Sequence, residues 1–219
     1  MYGRTLGIIG LGHSGGTLGR YAKGLGMRVL AWRRRALAAP ESADCVHSTA
    51  AGDVLISMLA ECEFLVLACP LNDATRHLIG ARELAALPRG AFVVNIGRGA
   101  LIDERALIAA LKSGHLSGAG LDVFETEPLP PESPLWSMPQ VLISPHSIPR
   151  AVNREERHGE MLAENLRRFA AAEPLLNRLG PEDALTPKGS PRPRSPLQRL
   201  HTRARWLLFR LQERLQGAR

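Results

Sequence analysis

A glycine-rich turn between an apolar run and an amphipathic run is the feature that most constrains the fold of this chain. The apolar run Thr5–Ile9 leads into Gly10, Gly12 and Gly15, which are spaced as G-x-G-x-x-G. Apolar residues then recur at helical spacing, at Leu18, Tyr21, Ala22 and Leu25. A strand, a tight turn and a helix in this order form the context in which such a sequence binds the pyrophosphate of a dinucleotide. We therefore predict a dinucleotide-binding turn, with a purely structural glycine-rich turn as the alternative.

Each glycine has a distinct part in such a turn. Gly10 permits the tight turn itself, Gly12 lets the backbone approach a pyrophosphate, and Gly15 allows the helix to pack closely on the strand. The amides of His13 and Ser14 would then face the phosphates at the positive end of the helix dipole.

The end of the second predicted strand indicates which dinucleotide binds. Strand 28–32 ends about 20 residues after the glycines, where NAD-binding domains usually place an Asp or Glu for the ribose hydroxyls. This chain has Arg33, Arg34 and Arg35 there instead. Guanidinium groups suit a 2′-phosphate and offer nothing comparable to a 2′-hydroxyl. We therefore expect NADP(H) to be preferred over NAD(H), with a solvated basic loop as the alternative.

Strands and helices alternate along the rest of the chain. The pattern predicts helices over 53–61, 82–87 and 104–113, and strands over 64–69, 91–96, 118–123 and 141–144. This alternation predicts an α/β fold, a doubly wound parallel sheet that forms a Rossmann-type dinucleotide-binding domain over residues 1–149. Ligands bind such sheets at the carboxyl ends of the strands.

The positive charge is concentrated near the C-terminus. The formal net charge is +7, but residues 180–219 hold nine basic and three acidic side chains, whereas residues 1–179 hold 19 basic and 18 acidic ones. Segment 180–196 is rich in Pro, Gly and Ser and is typical of a linker, and segment 197–219 has the pattern of a basic amphipathic helix. This C-terminal helical tail fits a helix docked on its own protein, although a helix on a membrane surface or on a partner shows the same pattern. Because the body of the chain is nearly neutral, we expect no nucleic-acid binding.

The cysteines and the apolar runs indicate where such a chain works. Cys45, Cys62 and Cys69 are odd in number and lack CxxC spacing, so they predict reduced thiols rather than disulfides or a metal site. No apolar run approaches the roughly 20 residues of a transmembrane helix. The N-terminus also lacks the long apolar core of a signal peptide. We expect a cytoplasmic protein without a metal.

Polar residues at the predicted strand ends suit one reaction. Arg98, Glu127 and His146 each follow one of the last three predicted strands. Arg98 would hold a carboxylate through a two-pronged contact and polarise the adjacent ketone, and His146 would give a proton to the developing alkoxide. Glu127 would hydrogen-bond the other ring nitrogen of the histidine, and Asp122 would accept a hydrogen bond from the nicotinamide carboxamide. Each residue alone is more commonly structural, but their joint placement predicts reversible reduction of a 2-keto acid.

Four spaced motifs together resemble the D-isomer-specific 2-hydroxyacid dehydrogenases. They are GIIGLGHSG, NIGRGALIDERAL, GAGLDVFETEPLPPESPLW and VLISPH, and the resemblance covers residues 5–179. The Trp-Arg-Arg sequence after the second strand and EPLPPESPLW are most similar to the glyoxylate/hydroxypyruvate reductase branch. The resemblance implies a homodimer and three catalytic residues, Arg98, Glu127 and His146. It also implies that the cofactor is contacted at the pyrophosphate by His13 and Ser14, at the ribose by Arg33, on the adenosine side by Pro70, Leu71 and Thr75, and beside the nicotinamide by Ile96, Arg98, Asp122 and His146.

The resemblance further implies a segment that this sequence does not show. Family members carry an N-terminal segment that forms most of a second, substrate-binding domain, whereas the first predicted strand here begins almost at Met1. We expect residues 150–179 to be the C-terminal helix of that second domain. The helix predicted over 151–172 would then expose an apolar face, and one hypothesis is that the tail helix 197–216 covers it.

The sequence thus predicts hydride transfer between NADP(H) and a small 2-keto acid of the glyoxylate/hydroxypyruvate type. One alternative is an NAD(P)-binding module without turnover, a truncated relative that lacks the substrate domain. Another is a truncated product with neither activity nor a defined partner.

Overall fold

The computed structural model describes residues 1–34, 40–48, 54–147, 153–180, 183 and 185. Its strands are β1 (Thr5–Ile9), β2 (Arg28–Arg33), β3 (Cys45–Ser48), β4 (Phe64–Leu67), β5 (Ala91–Asn95), β6 (Leu116–Leu121) and β7 (Val141–Ile143). Its α-helices are α1 (His13–Gly24), α2 (Val54–Leu59), α3 (Ala81–Ala86), α4 (Glu104–Lys112) and α5 (Arg154–Ala170). Short 3₁₀ turns lie at Gly99–Leu101 and Pro134–Ser137.

The strands form one seven-stranded sheet in the order β3-β2-β1-β4-β5-β6-β7, and every described pair is parallel. Helices α2, α3 and α4 share one apolar core with the sheet, which includes Met58, Leu84 and Leu107, whereas Ala22 of α1 belongs to a second core with Ile8. Burial of each large apolar side chain stabilises such a layered fold by about 1.5–3 kcal/mol. The predicted α/β fold with a doubly wound parallel sheet is confirmed.

The order of the strands reverses beside β1. The chain runs outward from β1 through β2 to β3, and then returns to pair β4 on the other side of β1. At such a switch point the loops after neighbouring strands turn away from each other and leave a crevice at the carboxyl ends. The glycine-rich turn follows β1 and therefore lies at this crevice.

Strand β3 was not predicted from the sequence. Residues Cys45–Ser48 pair with β2 from Leu30↔Cys45 to Arg33↔Ser48, at the edge of the sheet. Four residues that include His47 and Ser48 give too short and too polar a pattern to predict a strand, and only the neighbouring strand supplies the pairing. The predicted strand over 118–123 also begins earlier, at Leu116.

Most of the predicted C-terminal region lies outside the described residues. Of the predicted linker, the structure describes Gly180, Asp183 and Leu185, and none of the predicted helix 197–219. The helix predicted over 151–172 is present as Arg154–Ala170. In the part of the chain that the structure describes, no helix is long and apolar enough to cross a membrane.

Candidate active site

The glycine-rich turn is shaped by close backbone contacts. Gly10 has φ +99°, and a Cβ there would lie 2.6 Å from the backbone nitrogen of Cys69. A Cβ on Gly15 would lie 2.1 Å from the carbonyl oxygen of Gly10. At Gly12, by contrast, a Cβ would meet no described atom within 4 Å, so this backbone faces open space. Two glycines thus serve close packing, and the third leaves room for a ligand against the backbone.

Helix α1 begins at this turn with an uncapped N-terminus. Gly12 supplies no side-chain cap, and the first turn of the helix contains no acidic residue. His13 and Ser14 are exposed. The first amides of a helix carry partial positive charge and lack partners within the helix, so this end of α1 suits an anionic group.

A groove of about 420 Å³ runs from the glycine-rich turn past the end of β2. Arg33 and Arg34 line it, as do Pro70 and Thr75 from the loop after β4. Of the cofactor contacts predicted from the sequence, the groove thus brings together those at Gly10, Gly12, Arg33, Arg34, Pro70 and Thr75. His13, Ser14 and Leu71 are not among its described lining residues.

Hydrogen bonds lock the loop after β4. The Thr75 hydroxyl donates to the Pro70 carbonyl at 2.8 Å and accepts from the Asn72 amide at 2.8 Å. The buried Asn72 side chain accepts in turn from the amides of Ala74 and Thr75, both at 3.0 Å. The Thr75 hydroxyl is therefore engaged within the loop. Thr75 shapes the wall of the groove because these hydrogen bonds hold the loop in place.

A second cavity, of about 570 Å³, lies beside the first. Ile96, Arg98 and Leu71 line it, and it shares Cys69 and Pro70 with the groove. The groove and this cavity together provide a continuous wall along the carboxyl ends of β1, β4 and β5.

Asn95 positions the loop that carries Arg98. This fully buried amide, the last residue of β5, donates to the Arg98 carbonyl at 2.9 Å and accepts from the Gly97 amide at 3.1 Å. The Arg98 guanidinium donates through Nη1 to the Gly97 carbonyl at 2.7 Å. The backbone around Arg98 is thus fixed by the strand end, and the guanidinium keeps further donors for an anion.

Asp122 brings a partly unsatisfied carboxylate to the same edge. The side chain is 4% exposed, and Oδ1 accepts from the Ser144 hydroxyl at 2.5 Å and from the Ser147 amide at 3.0 Å. Its Oδ2 is buried and has no hydrogen-bond partner among the described residues. A buried carboxylate oxygen calls for a donor. The carboxamide NH₂ of a nicotinamide is such a donor, so this residue fits the cofactor that the sequence predicts.

His146 and Glu127 form the pair that the sequence predicts. Nδ1 of His146 lies 2.8 Å from Oε2 of Glu127, and both side chains are about two-fifths exposed. The other carboxylate oxygen of Glu127 accepts from the Phe124 amide at 3.0 Å. Burial raises the pKa of Glu127, but the hydrogen bonds from His146 and Phe124 and the charge of Arg98 outweigh it, so the pKa lies below its usual value. The carboxylate therefore stays charged next to the imidazole.

Several residues of the site were not singled out from the sequence. Asn72 and Asn95 orient the two loops, and the Asn-x-x-Thr spacing of the first is a turn signal that would have found it. Arg178 and Asp183 line the groove from the far end of the chain. No local pattern links them to the residues after β2, so only the fold reveals them.

Comparisons with known proteins identify the family to which this fold belongs. The family model described as D-isomer specific 2-hydroxyacid dehydrogenase, NAD binding domain, matches residues 1–147. A glyoxylate reductase from Korarchaeum cryptofilum is 41% identical over 176 residues, which cover 79% of this chain and 51% of that protein. The chain spans about half the length of the curated relatives it matches.

Solved structures give the same picture. A D-isomer specific 2-hydroxyacid dehydrogenase from Xanthobacter autotrophicus Py2, in complex with NADPH and MES, aligns with a TM-score of 0.75 at 43% identity, over 81% of this chain and 71% of that one. An NADPH-dependent glyoxylate/hydroxypyruvate reductase from Sinorhizobium meliloti, in complex with NADP and sulfate, aligns with a TM-score of 0.72 at 32% identity, over 83% and 56% of the two chains.

Proposed function

The chain belongs to the D-isomer specific 2-hydroxyacid dehydrogenase family, and on that premise we propose that it carries the cofactor-binding and catalytic residues of an NADP(H)-linked reductase of small 2-keto acids. The substrate class is that of glyoxylate and hydroxypyruvate. The observation that carries the proposal is the placement of Arg98, Asp122 and the His146–Glu127 pair after the neighbouring strands β5, β6 and β7, along the same edge of the sheet as the glycine-rich turn.

In the proposed reaction, Arg98, His146 and Glu127 each have a separate part. The reduced nicotinamide supplies the hydride when it is bound. Arg98 holds the substrate carboxylate with its guanidinium and polarises the neighbouring carbonyl. His146 gives a proton to the carbonyl oxygen as it gains charge, and Glu127 holds the ring in place through Nδ1. In the oxidative direction His146 takes the proton back from the hydroxyl.

The same residues along the groove would hold the cofactor. Asp122 would accept from the carboxamide through Oδ2, and Arg33 and Arg34 would bind the 2′-phosphate. The remaining proposed contacts are Gly10, Gly12, His13, Ser14 and Gly15 at the pyrophosphate, Pro70, Leu71 and Thr75 on the adenosine side, and Ile96 beside the nicotinamide.

Oxidation of NADPH by the purified chain tests the proposed reaction, with glyoxylate and hydroxypyruvate as substrates. Arg98→Ala should lower turnover by at least about 100-fold and leave NADPH binding largely intact, because its guanidinium holds the substrate carboxylate and only adjoins the nicotinamide end of the cofactor. Arg105→Ala, on the exposed face of α4, is the matched control and should keep full turnover. Near-normal turnover by Arg98→Ala would contradict the role of this residue.

Cofactor choice has its own test. The double variant Arg33→Asp, Arg34→Ser should weaken NADPH binding more than NADH binding, because only NADPH carries the 2′-phosphate that the guanidinium groups would bind. Fluorescence titration of both cofactors measures the two affinities. Equal losses for NADPH and NADH would contradict the proposed preference.

The alternative function is an NAD(P)-binding module without turnover. The apolar side chains of α5 favour it, since the exposed Leu162, Leu166 and Phe169 suit contact with another surface. NADPH binding without oxidation of NADPH by either substrate would select this alternative.

Assembly and location complete the proposal. We propose a homodimer, supported by the family resemblance, and light scattering on the purified chain measures it. A mass of one chain at micromolar concentration would contradict it.

The three free cysteines fit a reducing compartment such as the cytoplasm.

A further inference from the structure

An ion pair links the end of β2 to the distant residue Asp183. Arg34 Nη1 lies 2.7 Å from Asp183 Oδ1, and the Asp183 side chain is only 13% exposed. The second carboxylate oxygen, Oδ2, accepts from the Gly180 amide at 2.7 Å. Asp183 is therefore held as a nearly buried anion with both oxygens engaged, unlike a mobile surface pair.

This ion pair lies within the cofactor groove. Both partners line the groove that begins at the glycine-rich turn, together with Arg33 and Arg178. Among the described residues of the lining, Asp183 is the one acidic side chain among three arginines. Three clustered guanidinium groups attract an anion, and the chain itself supplies one.

Two anions cannot use the same donors of Arg34. Asp183 binds Nη1 of Arg34 through Oδ1, while its Oδ2 accepts from the Gly180 amide, so a ligand phosphate that takes the donors of Nη1 must displace Oδ1 and come close to the carboxylate. Like charges at such separations repel, most strongly where water is partly excluded. A ribose with a free 2′-hydroxyl brings no charge, and the ion pair accommodates it without displacement.

We propose that Asp183 is an internal competitor of the cofactor's 2′-phosphate and thereby a specificity-determining residue. The 2′-phosphate must displace the carboxylate from Arg34, which lowers the affinity for NADP(H) and leaves the affinity for NAD(H) unchanged. The preference that the arginines create is therefore weaker in this chain than those arginines alone would make it. This inference rests on the proposed function, because it requires the adenosine end of the cofactor in this groove.

Isothermal titration of two nucleotides with the full chain tests the competition. Adenosine 2′,5′-bisphosphate carries the 2′-phosphate, and 5′-AMP lacks it. Asp183→Asn removes the charge and keeps the shape of the side chain, so it should tighten the bisphosphate about five- to tenfold and change 5′-AMP by less than about twofold. Asp183→Glu keeps the charge and should tighten the bisphosphate clearly less than Asp183→Asn does.

Asp44→Asn is the matched control. Its carboxylate likewise pairs with a cation, Lys23, at 2.8 Å and accepts from a backbone amide, that of Val29, at 2.7 Å. It lies at the start of β3, away from the groove. This variant should change neither affinity, although it removes an equivalent negative charge.

Four results would overturn the inference. Unchanged bisphosphate affinity in Asp183→Asn means that the carboxylate does not compete. Equal tightening by Asp183→Glu, or weaker binding of both nucleotides by Asp183→Asn with a lowered melting temperature, means that Asp183 shapes the groove rather than competing. Absence of binding of both nucleotides to every variant refutes the proposed cofactor site itself, and the inference with it.

Discussion

The sheet buries most of its apolar side chains, whereas helix α5 exposes them. In the sheet, Ile8, Leu65 and Val93 are completely buried between helices. On α5, Leu162, Leu166 and Phe169 are 61–69% exposed, and ion pairs hold the helix surface instead. Contiguous apolar surface of this kind marks a place where another surface packs. The sheet region therefore has its own core, whereas the described residues leave the apolar side chains of α5 uncovered.

Truncation of one leucine in each region should separate them most clearly. Leu65→Ala should lower the free energy of unfolding by about 3 kcal/mol, because it opens a cavity in the core. Leu166→Ala should lower it by less than about 0.5 kcal/mol, because the side chain is already exposed. Urea unfolding followed by circular dichroism measures both. A similar loss in the two variants would show that α5 is covered in solution, as the hypothesis for residues 197–216 requires.

The surface charges of α5 should respond to acid over a defined range. Hydrogen bonds from Arg167 and Arg168 lower the pKa of Glu164 to about 2. Because the pKa of Glu164 is depressed in the folded chain, the contribution of its carboxylate to stability is present above about pH 4.5. This contribution is lost as the pH falls towards 2. Glu164→Gln should therefore speed hydrogen exchange of α5 amides at neutral pH.

Glu160→Gln on the same helix is the control, and it should leave the exchange of α5 nearly unchanged. Exchange in Glu164→Gln that matched the unaltered chain at neutral pH would show that these ion pairs do not hold the helix. Amides of β4 should exchange equally slowly in all three proteins, since their protection comes from the core.

The smallest expected effect concerns the two buried thiols that flank β4, which should fail to react with an alkylating reagent. Burial raises the pKa of Cys62 to about 12 and that of Cys69 to about 11. The thiolate is the reactive form, so both should resist alkylation by iodoacetamide at pH 8 until the chain unfolds. A Cys45→Ser background confines the measurement to these two, and mass spectrometry counts the labels. Rapid labelling of Cys69 would mean that the wall of the groove opens readily.

Local sequence patterns predicted those parts of the site that lie directly after a strand. The glycine-rich turn and the loops of Arg98 and His146 each follow a strand, and the carboxyl ends of parallel strands lie along one edge of the sheet. The edge strand β3 was missed, because its pairing with β2 rather than its composition creates it. Asp183 was missed for a related reason, since its partner Arg34 is distant in the sequence and no periodicity connects the two.

The contact between Gly15 and Gly10 has a consequence for how such a protein can evolve. A side chain at position 15 would collide with the carbonyl of the turn, so the joint that seats α1 on the sheet is also the backbone proposed to receive a phosphate. A mutation at this joint should therefore change folding and ligand affinity together. Evolution cannot tune the two traits separately at this position.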